Sequence, residues 1–307
     1  MEPEGGCRVW SWRIIRLRRM PNLSEKDSMA PMQAAMESEA YLRSELEAIK
    51  RWESEQKDVW FWEKLARLPF ELLDRVTPKI VHEKIGQALN EVGSFIQTGG
   101  QYLVSERSVL SLLERAADGA EAEGLTLERS RELPLAAMDR AADALAESRA
   151  GWATAQGATT GFGGMLTLAI DIPAVLGLSL KVLQEIALCY GYDPQEKQER
   201  AFIVKCLHFA SADVVGKRAV LEDLNAFAQP GGDGGERTAM SQLQGWREVI
   251  AAYRDTFGWK KLFQLVPIAG AAFGAYINRG TLKDVAEAGK MLYRKRRILE
   301  KLEAAGN

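Results

Sequence analysis

The chain has 307 residues, of which 47% are apolar and 27% charged, and its formal net charge is −2. This composition is that of a folded globular protein, and the whole-chain charge gives no indication of nucleic-acid binding. Three cysteines that lie far apart in sequence (Cys7, Cys189 and Cys206) argue against a disulfide scaffold and favour a reducing compartment.

Residues 1–33 are predicted to form a disordered extension. Their apolar run is short and is interrupted by arginines, and no cleavage-type site follows, so they do not resemble a signal peptide. Two alternatives remain open: a small interfacial helix, and translated upstream sequence ahead of a later start. The folded part is predicted to be one helical domain over residues 34–303.

Helical signals follow one another along this domain, and alternating strand-like patterns are nearly absent. The apolar spacing predicts helices over residues 34–67, 78–102 and 106–118. Pro134 suits the first turn of a further helix, and the apolar run over 165–190 predicts the next.

The C-terminal half continues this pattern. Asp193 is predicted to cap a helix that ends near Phe209, and Gly-rich residues 229–237 predict a flexible loop. A last helix is predicted to start at Thr281, with Asp284 in a variant of the capping box. The predicted fold is all-α, a multi-helix bundle with two Gly-rich apolar helices, about 165–190 and 262–278, at its centre.

No catalytic or metal-binding motif is present. The two histidines, His82 and His208, are isolated, and the sequence HEKIG lacks the second histidine of a zincin motif. Gly161-Phe-Gly163 begins like a dinucleotide loop, but it follows a helical segment, whereas such a loop requires a strand. We therefore expect no cofactor and no metal ion. The sequence does not favour an enzyme, although an unrecognised hydrolase-like site stays a third alternative.

The segment TGFGGMLTLAIDIPAVLGLSLKVLQEIALCYGYDPQEKQERAF resembles the signature block of the EcsC protein family. Its matching features are a turn with Gly161, Gly163 and Gly164, an Asp-x-Pro in an apolar helix, and a following Glu-Arg pair that ends at Arg200. The segment KKLFQLVPIAGAAFGAYINRGTLKDVAEAGKMLYRKRRIL resembles the closing element of that family. The resemblance covers roughly residues 60–300. The family takes its name from a bacterial operon that also encodes an ABC transporter, so the resemblance implies such a transporter as a partner and establishes no activity.

The apolar segment over residues 157–180 contains one charged residue, Asp171, which calls for a polar partner. The basic residues considered as partners are Lys181, Arg200 and Lys205. Its glycines and Pro173 argue against a simple membrane span. Three interpretations stay open: the central helix of a soluble bundle, a hairpin with 262–278 that inserts shallowly into a membrane, and the wall of an apolar ligand cavity.

Residues 279–301 carry eight bases against three acids, and residues 37–63 carry eight acids against four bases. The C-terminal cluster of Arg294, Lys295, Arg296 and Arg297 is predicted to contact an anionic membrane surface. The alternatives are that these cations only solvate the last helix, or that they pair with the acidic 37–63 helix.

Together these patterns favour a non-enzymatic peripheral membrane or lipid-handling accessory protein. It is expected at the cytoplasmic, inner face of the cell membrane, with an anionic lipid surface and an ABC transporter or other membrane protein as partners, and no nucleic acid. The alternative is a soluble helical regulator that binds a partner protein, either an ABC transporter or a secretion and processing system.

Overall fold

The computed structural model describes residues 37–56, 104–117, 124–161, 164–212, 214–228 and 267–306, together with Ser94, Phe95, Thr98 and Gly99. The regular structure within these ranges is helical throughout, which confirms the predicted all-α class. The helices are α1 (Glu39–Glu55), α2 (Glu106–Ala116), α3 (Leu127–Ser130), α4 (Leu135–Gly161), α5 (Gly164–Cys189), α6 (Lys197–Ser211), α7 (Val214–Ala228) and α8 (Pro267–Gly306).

Several predictions lie outside these ranges: the extension over 1–33, the loop over 229–237, most of the helix over 78–102, and the first part of the apolar segment over 262–278. The division of the chain into an extension and one domain therefore stays a prediction.

Local capping explains where the shorter helices begin. The hydroxyl of Ser38 accepts a hydrogen bond from the backbone N–H of Tyr41 at the start of α1, and Ser105 caps α2 in the same way through Ser108. Serine is favoured at this position because its side chain satisfies one of the free N–H groups of the first turn. The predicted helix over 106–118 is confirmed with an end at Ala116.

The prediction that Asp193 caps α6 needs correction. Its carboxylate accepts a hydrogen bond from the N–H of Gln195 at 2.8 Å, and the helix begins only at Lys197, with Glu196 at the cap position. A short Asp side chain that bonds two residues ahead makes an Asx-turn, so it stabilises the turn before the helix and not the helix itself.

The prediction that a last helix starts at Thr281 also needs correction. Helix α8 runs without interruption through this residue and joins the apolar and basic segments into one element of 40 residues. Helical stability in proteins comes mainly from packing along the element, and α8 packs against α1, α4, α5 and α6, so a local capping pattern does not break it.

The glycines between α4 and α5 interrupt the helices less than the sequence indicates. Helix α4 continues through Gly157 to Gly161, and α5 begins at Gly164. Each glycine costs about 1 kcal/mol relative to alanine in a helix, a penalty that neighbouring helices can offset. Gly161 and Gly164, two of the three family-like glycines, thus lie at the facing ends of α4 and α5. The third, Gly163, lies outside the described residues.

The core forms around the second half of α5. From Val175 to Tyr190 nearly every side chain of this helix is buried, and α4, α6 and α8 pack around it. At Gly289 of α8 an added Cβ atom would lie 2.5 Å from Leu183, so glycine is what lets α8 approach α5 this closely. Cys189 and Cys206 are buried free thiols. Within the described part of the chain, no helix is both long enough and apolar enough to cross a bilayer.

Candidate functional site

A ladder of ion pairs joins α4 to α8. Asp139, Asp143 and Glu147 follow one another every four residues, which places them on one face of α4. Their partners are Arg294 at 2.9 Å, Lys290 at 2.6 Å and Lys283 at 2.8 Å. Because the partner numbers fall as the α4 numbers rise, the two helices are antiparallel.

A second set of contacts joins α8 to the N-terminal part of the chain. Glu45 of α1 pairs with Arg294 at 2.7 Å, and Glu53 pairs with Lys295 at the same distance. The indole N–H of Trp52 donates to Glu287 at 2.8 Å. Helix α1 is therefore also antiparallel to α8, and its inward face carries acids among its apolar residues.

The next two cations of α8 point toward α6 and the turn after α5. Arg296 pairs with Glu199 at 2.7 Å, and its guanidinium lies 4.2 Å from the ring centroid of Tyr192 and 4.3 Å from that of Phe202. Burial lowers the pKa of Arg296, but Glu199, Tyr192 and Tyr293 together raise it by more, so the pKa is raised overall. Arg297 donates to the backbone carbonyl of Tyr190.

All eight bases of residues 279–301 contact a carboxylate; the remaining pairs are Arg279 with Glu147, Arg297 with Glu300 and Lys301 with Glu37. Arg294, Lys295 and Arg297 are at most 9% exposed. The predicted membrane contact of the cluster over 294–297 required exposed side chains, so this conformation offers it no surface. Arg294 and Lys295 pair with the acidic N-terminal helix, as that alternative states, whereas Arg296 and Arg297 pair with Glu199 and Glu300.

The other predicted polar site is only partly described. Arg200 is buried at the start of α6, where it donates to the backbone carbonyl of Gln195. Asp171 lies in α5, but its side chain is outside the described part, so its pairing with Lys181, Arg200 or Lys205 stays a prediction. Lys205, another of the considered partners, pairs with Asp223 at 3.1 Å.

Among the described residues, the helices that meet at one end of the bundle carry no charge there apart from Asp171. Helix α4 carries no charge from Ala150 to Gly161, and α8 carries none from Pro267 to Asn278. Since these helices are antiparallel, both segments point toward the same end, and the short link after α4 brings the first half of α5 there as well. We call this the uncharged end.

An ion pair and an exposed tryptophan stand where the uncharged end begins. Arg149 of α4 binds Glu185 of α5 with two hydrogen bonds of 2.7 and 2.6 Å, and Glu185 is only 2% exposed. Trp152 follows one turn later and is 67% exposed, the most prominent exposed apolar side chain in the described part of the chain. Tryptophan is enriched where an apolar phase meets water.

The described residues offer little to covalent or metal chemistry. They contain no group of three or more His, Cys, Asp or Glu residues that is arranged to hold a metal ion. Burial raises the pKa of Cys189 and of Cys206, so neither thiol forms the nucleophilic thiolate readily. Tyr190 and Tyr293 donate to Asp139 and Glu199 from inside the core.

Sequence reasoning missed the acids of the α4 ladder. Their spacing of four residues was visible, and it matches the spacing of Lys290 and Arg294 on α8. The pairing could not be inferred because nothing in the sequence says that these two helices, more than 100 residues apart, are neighbours.

Comparisons with known proteins agree on one family. The model of the EcsC protein family matches residues 43–298. A protein of Bacillus subtilis (strain 168) named "Uncharacterized protein YdbA" is 57% identical over 262 residues, which cover 85% of this chain and 94% of that protein. "Protein EcsC" of the same organism is 28% identical over 148 residues, covering 48% of this chain and 58% of that protein. No solved structure matches.

Proposed function

The chain belongs to the EcsC protein family, and from that premise we propose that it is a non-enzymatic peripheral membrane protein that applies its uncharged end to a lipid surface. The main support for this proposal is that charged and uncharged segments are separated along the bundle. The ion pairs between α4 and α8 occupy the region from Asp139 to Glu147, and the helix ends beyond Arg149 are almost free of charge.

Such an end suits the interfacial layer of a bilayer. Apolar helix ends lose contact with water there, and Trp152 supplies an aromatic ring with an N–H group that stays at the polar boundary. The resulting attachment is shallow: the helices rest on or dip into one leaflet, and the charged part of the bundle remains in water.

The same geometry fits lipid handling better than catalysis. An accessory protein needs a surface that recognises lipid and a rigid body that holds this surface, and the buried ion pairs of α8 supply the rigidity. The soluble regulator of a transporter remains the competing function, in which the uncharged end would contact a membrane protein and not lipid.

Flotation with protein-free vesicles distinguishes attachment to lipid from binding to a membrane protein. We expect the protein to float with vesicles of phosphatidylcholine. Ala155→Glu places a charge on the exposed surface of α4 at the uncharged end and should reduce the bound fraction. A loss of about 1.4 kcal/mol in the free energy of binding is enough to lower the affinity tenfold. Trp152→Ser should act in the same direction.

The matched control is Ala304→Glu, the same substitution at an exposed helical alanine near the opposite end of α8. It should leave flotation unchanged. Equal effects of the two glutamates, or no flotation of the unmodified protein, would favour the partner-binding regulator instead.

A further inference from the structure

Bases are the first charged residues beyond the uncharged end. Counted from that end, Arg149 is the first charged residue of α4 and Arg279 is the first of α8. On α5 the first charge after Asp171 is Lys181. Bases that border an apolar segment are typical of protein surfaces that meet an anionic lipid layer. The border of the uncharged end is therefore a surface suited to anions.

Two bases at this border share one carboxylate. Glu147 of α4 contacts Arg279 at 3.0 Å and Lys283 at 2.8 Å. The three side chains are open to water, with exposed fractions of 60%, 41% and 46%. Arg149, by contrast, is bound with two hydrogen bonds by the buried Glu185. We call Glu147, Arg279 and Lys283 the border triad; its formal net charge is +1.

The two bases of the border triad can bind one phosphate together. They are one turn apart on α8, which places their Cβ atoms about 5–6 Å from each other. A guanidinium carries five N–H donors and an ammonium three, more than the contacts with Glu147 and with the hydroxyl of Thr154 use. Arginine and lysine are the usual ligands of phosphate oxygens. A phosphodiester with a single negative charge would balance the net charge of the triad.

The neighbouring acids of α8 lie behind these bases. Asp284 and Glu287 line an opening toward α1 and α6, where Glu287 accepts a hydrogen bond from Trp52. Glu287 also borders the groove between α4 and α8, one turn beyond Lys283. Both acids are farther from the uncharged end than Arg279 and Lys283. An anion that approaches from the uncharged end therefore meets the two bases first.

We propose that the border triad binds the phosphate of an anionic phospholipid, an inference that rests on the proposed membrane attachment. Arg279 and Lys283 donate to the phosphate oxygens, and Glu147 holds the two bases side by side. A phosphate free in water gains little at a site that is so open, whereas a bilayer presents many phosphates at once. Phosphatidylglycerol fits better than phosphatidylcholine because the quaternary ammonium of choline would meet a site of positive net charge.

The border triad lies at the depth of lipid phosphates. Arg279 directly follows Asn278, the last residue of the uncharged segment of α8, and Lys283 is about 6 Å farther along the helix axis. On α4, Glu147 is roughly 7.5 Å from Trp152 along the axis. The headgroup layer of a bilayer is roughly 5–8 Å deep on each side. A bundle that rests on its uncharged end, with Trp152 at the interface, therefore brings the triad to the level of the phosphates.

Flotation with two kinds of vesicle tests the proposal. One kind is pure phosphatidylcholine, and the other is an equal mixture of phosphatidylcholine and phosphatidylglycerol. The unmodified protein should bind the mixed vesicles about fivefold more tightly, the factor expected for one net base near an anionic leaflet. Arg279→Gln/Lys283→Gln should remove this preference and leave binding to pure phosphatidylcholine unchanged, because the apolar contacts remain.

Two control variants test whether position or charge alone matters. Arg43→Gln/Lys50→Gln removes two exposed bases of α1, each paired with a carboxylate of its own helix, and should keep the preference for mixed vesicles. Arg279→Lys/Lys283→Arg retains both charges at the border and should keep it as well. Because these ion pairs are open to water, all the variants should fold normally, which circular dichroism checks.

Substitution of the shared carboxylate should act in the opposite direction. Glu147→Gln raises the net charge of the triad to +2, so binding to mixed vesicles should strengthen by about a further fivefold. The matched change is Glu47→Gln on α1, an exposed carboxylate paired with Lys50, and it should have no effect. Equal binding of the unmodified protein to both kinds of vesicle would overturn the proposal, and so would a loss of preference in Arg43→Gln/Lys50→Gln.

Failure of the triad and failure of the membrane attachment give different results. If the triad proposal alone is wrong, the unmodified protein floats equally with both kinds of vesicle and Ala155→Glu still reduces flotation. If attachment through the uncharged end alone is wrong, the protein floats only with mixed vesicles, Ala155→Glu has no effect, and Arg279→Gln/Lys283→Gln abolishes flotation. No flotation with either kind of vesicle would overturn both.

Discussion

At the scale of single residues, the apolar interior also holds polar side chains, and nearly all of those described have a hydrogen-bond partner. Tyr293 donates to Glu199 at 2.8 Å, and Tyr190 donates to Asp139 at 2.6 Å, although both phenols are fully buried. Among the described side chains, the carbonyl oxygen of Gln184 is the buried atom that lacks a hydrogen-bond partner. Pairing of this completeness matters because an unsatisfied buried polar group costs about 1–3 kcal/mol.

Gly191 has a backbone conformation that residues with a side chain adopt only with strain. Its φ of +78° lies in the left-handed region, and an added Cβ atom would be 2.6 Å from the side chain of Arg131. We expect Gly191→Ala to lower the free energy of unfolding by at least about 1–2 kcal/mol, measured by urea denaturation. Gly280→Ala is the control: it sits in α8 with open space around it, so it should be neutral or stabilising. Equal losses in both would contradict this explanation.

The buried tyrosines predict a sensitivity to alkali. Burial raises the pKa of Tyr190 and of Tyr293 well above the ordinary value of 10.0, and it also raises that of Tyr192. Above about pH 10 the unfolded chain loses phenolic protons that the folded chain retains, so stability is full below this pH and falls as the pH rises further.

Urea midpoints measured across this range should show the fall, and Tyr190→Phe should make it shallower by one titrating group. A midpoint that stays constant from pH 9 to well above pH 10 would contradict the burial of these phenols.

At the scale of elements, α8 is the central helix, and ion pairs join it to α1 and α4. Helix α4 contributes three acids to it, and α1 contributes Glu45 and Glu53. The α1 seam combines a few fully buried apolar residues, such as Leu42 and Ile49, with ion pairs. Buried pairs gain little net stability but are costly to break, so they fix which surfaces of the helices meet.

The double variant Glu45→Gln/Glu53→Gln should therefore release α1 from α8. Removing one partner of a buried pair typically costs about 3–5 kcal/mol, and Lys295 with Glu53 is such a pair. Hydrogen exchange should become faster throughout α1. The control Glu39→Gln/Glu47→Gln makes the same change of charge on the exposed face, where the partners are Arg43 and Lys50, and should leave exchange unchanged. Faster exchange in both variants would mean that net charge, and not the seam, holds α1.

At the scale of the whole molecule, charge is sorted along the axis of the bundle. The cations of α8 after Asn278 pair with acids of the same chain. The part of α8 from Pro267 to Asn278 carries no charge. Attachment to a membrane would then depend on apolar contact more than on long-range attraction, because no described surface of α8 presents unpaired cations from this cluster.

Replacement of all four residues over 294–297 by glutamine should consequently lower the melting temperature strongly, since it leaves the buried Glu53 and Glu199 and the partly buried Asp139 without their cations. Flotation of the unmodified protein should persist in 0.5 M salt, where the Debye length is only about 4 Å. A variant that stays fully stable but loses flotation, together with salt-sensitive binding, would restore the cluster as the membrane anchor.

Sequence patterns alone predict the helical class, the family and the approximate extent of several elements. These predictions follow from local patterns: the apolar spacing that predicts the helix over 106–118, the apolar run over 165–190 that becomes α5, and the signature block around Gly161 and Gly164. They also offer, as one alternative to membrane contact, that the C-terminal cations pair with the acidic N-terminal helix.

The neighbours of these residues follow from how the helices pack, and sequence patterns do not predict them. Arg294 looks the same in sequence whether it contacts lipid, water or Asp139, because a charge pattern states how many charges a helix carries and not which neighbour it meets. The continuity of α8 through Thr281 and the start of α6 after Asp193 were likewise decided by packing and by a local turn bond that compete with capping propensity. Long-range pairing, as between Glu53 and Lys295, depends on helix positions that are set by the whole core, and local sequence does not encode them.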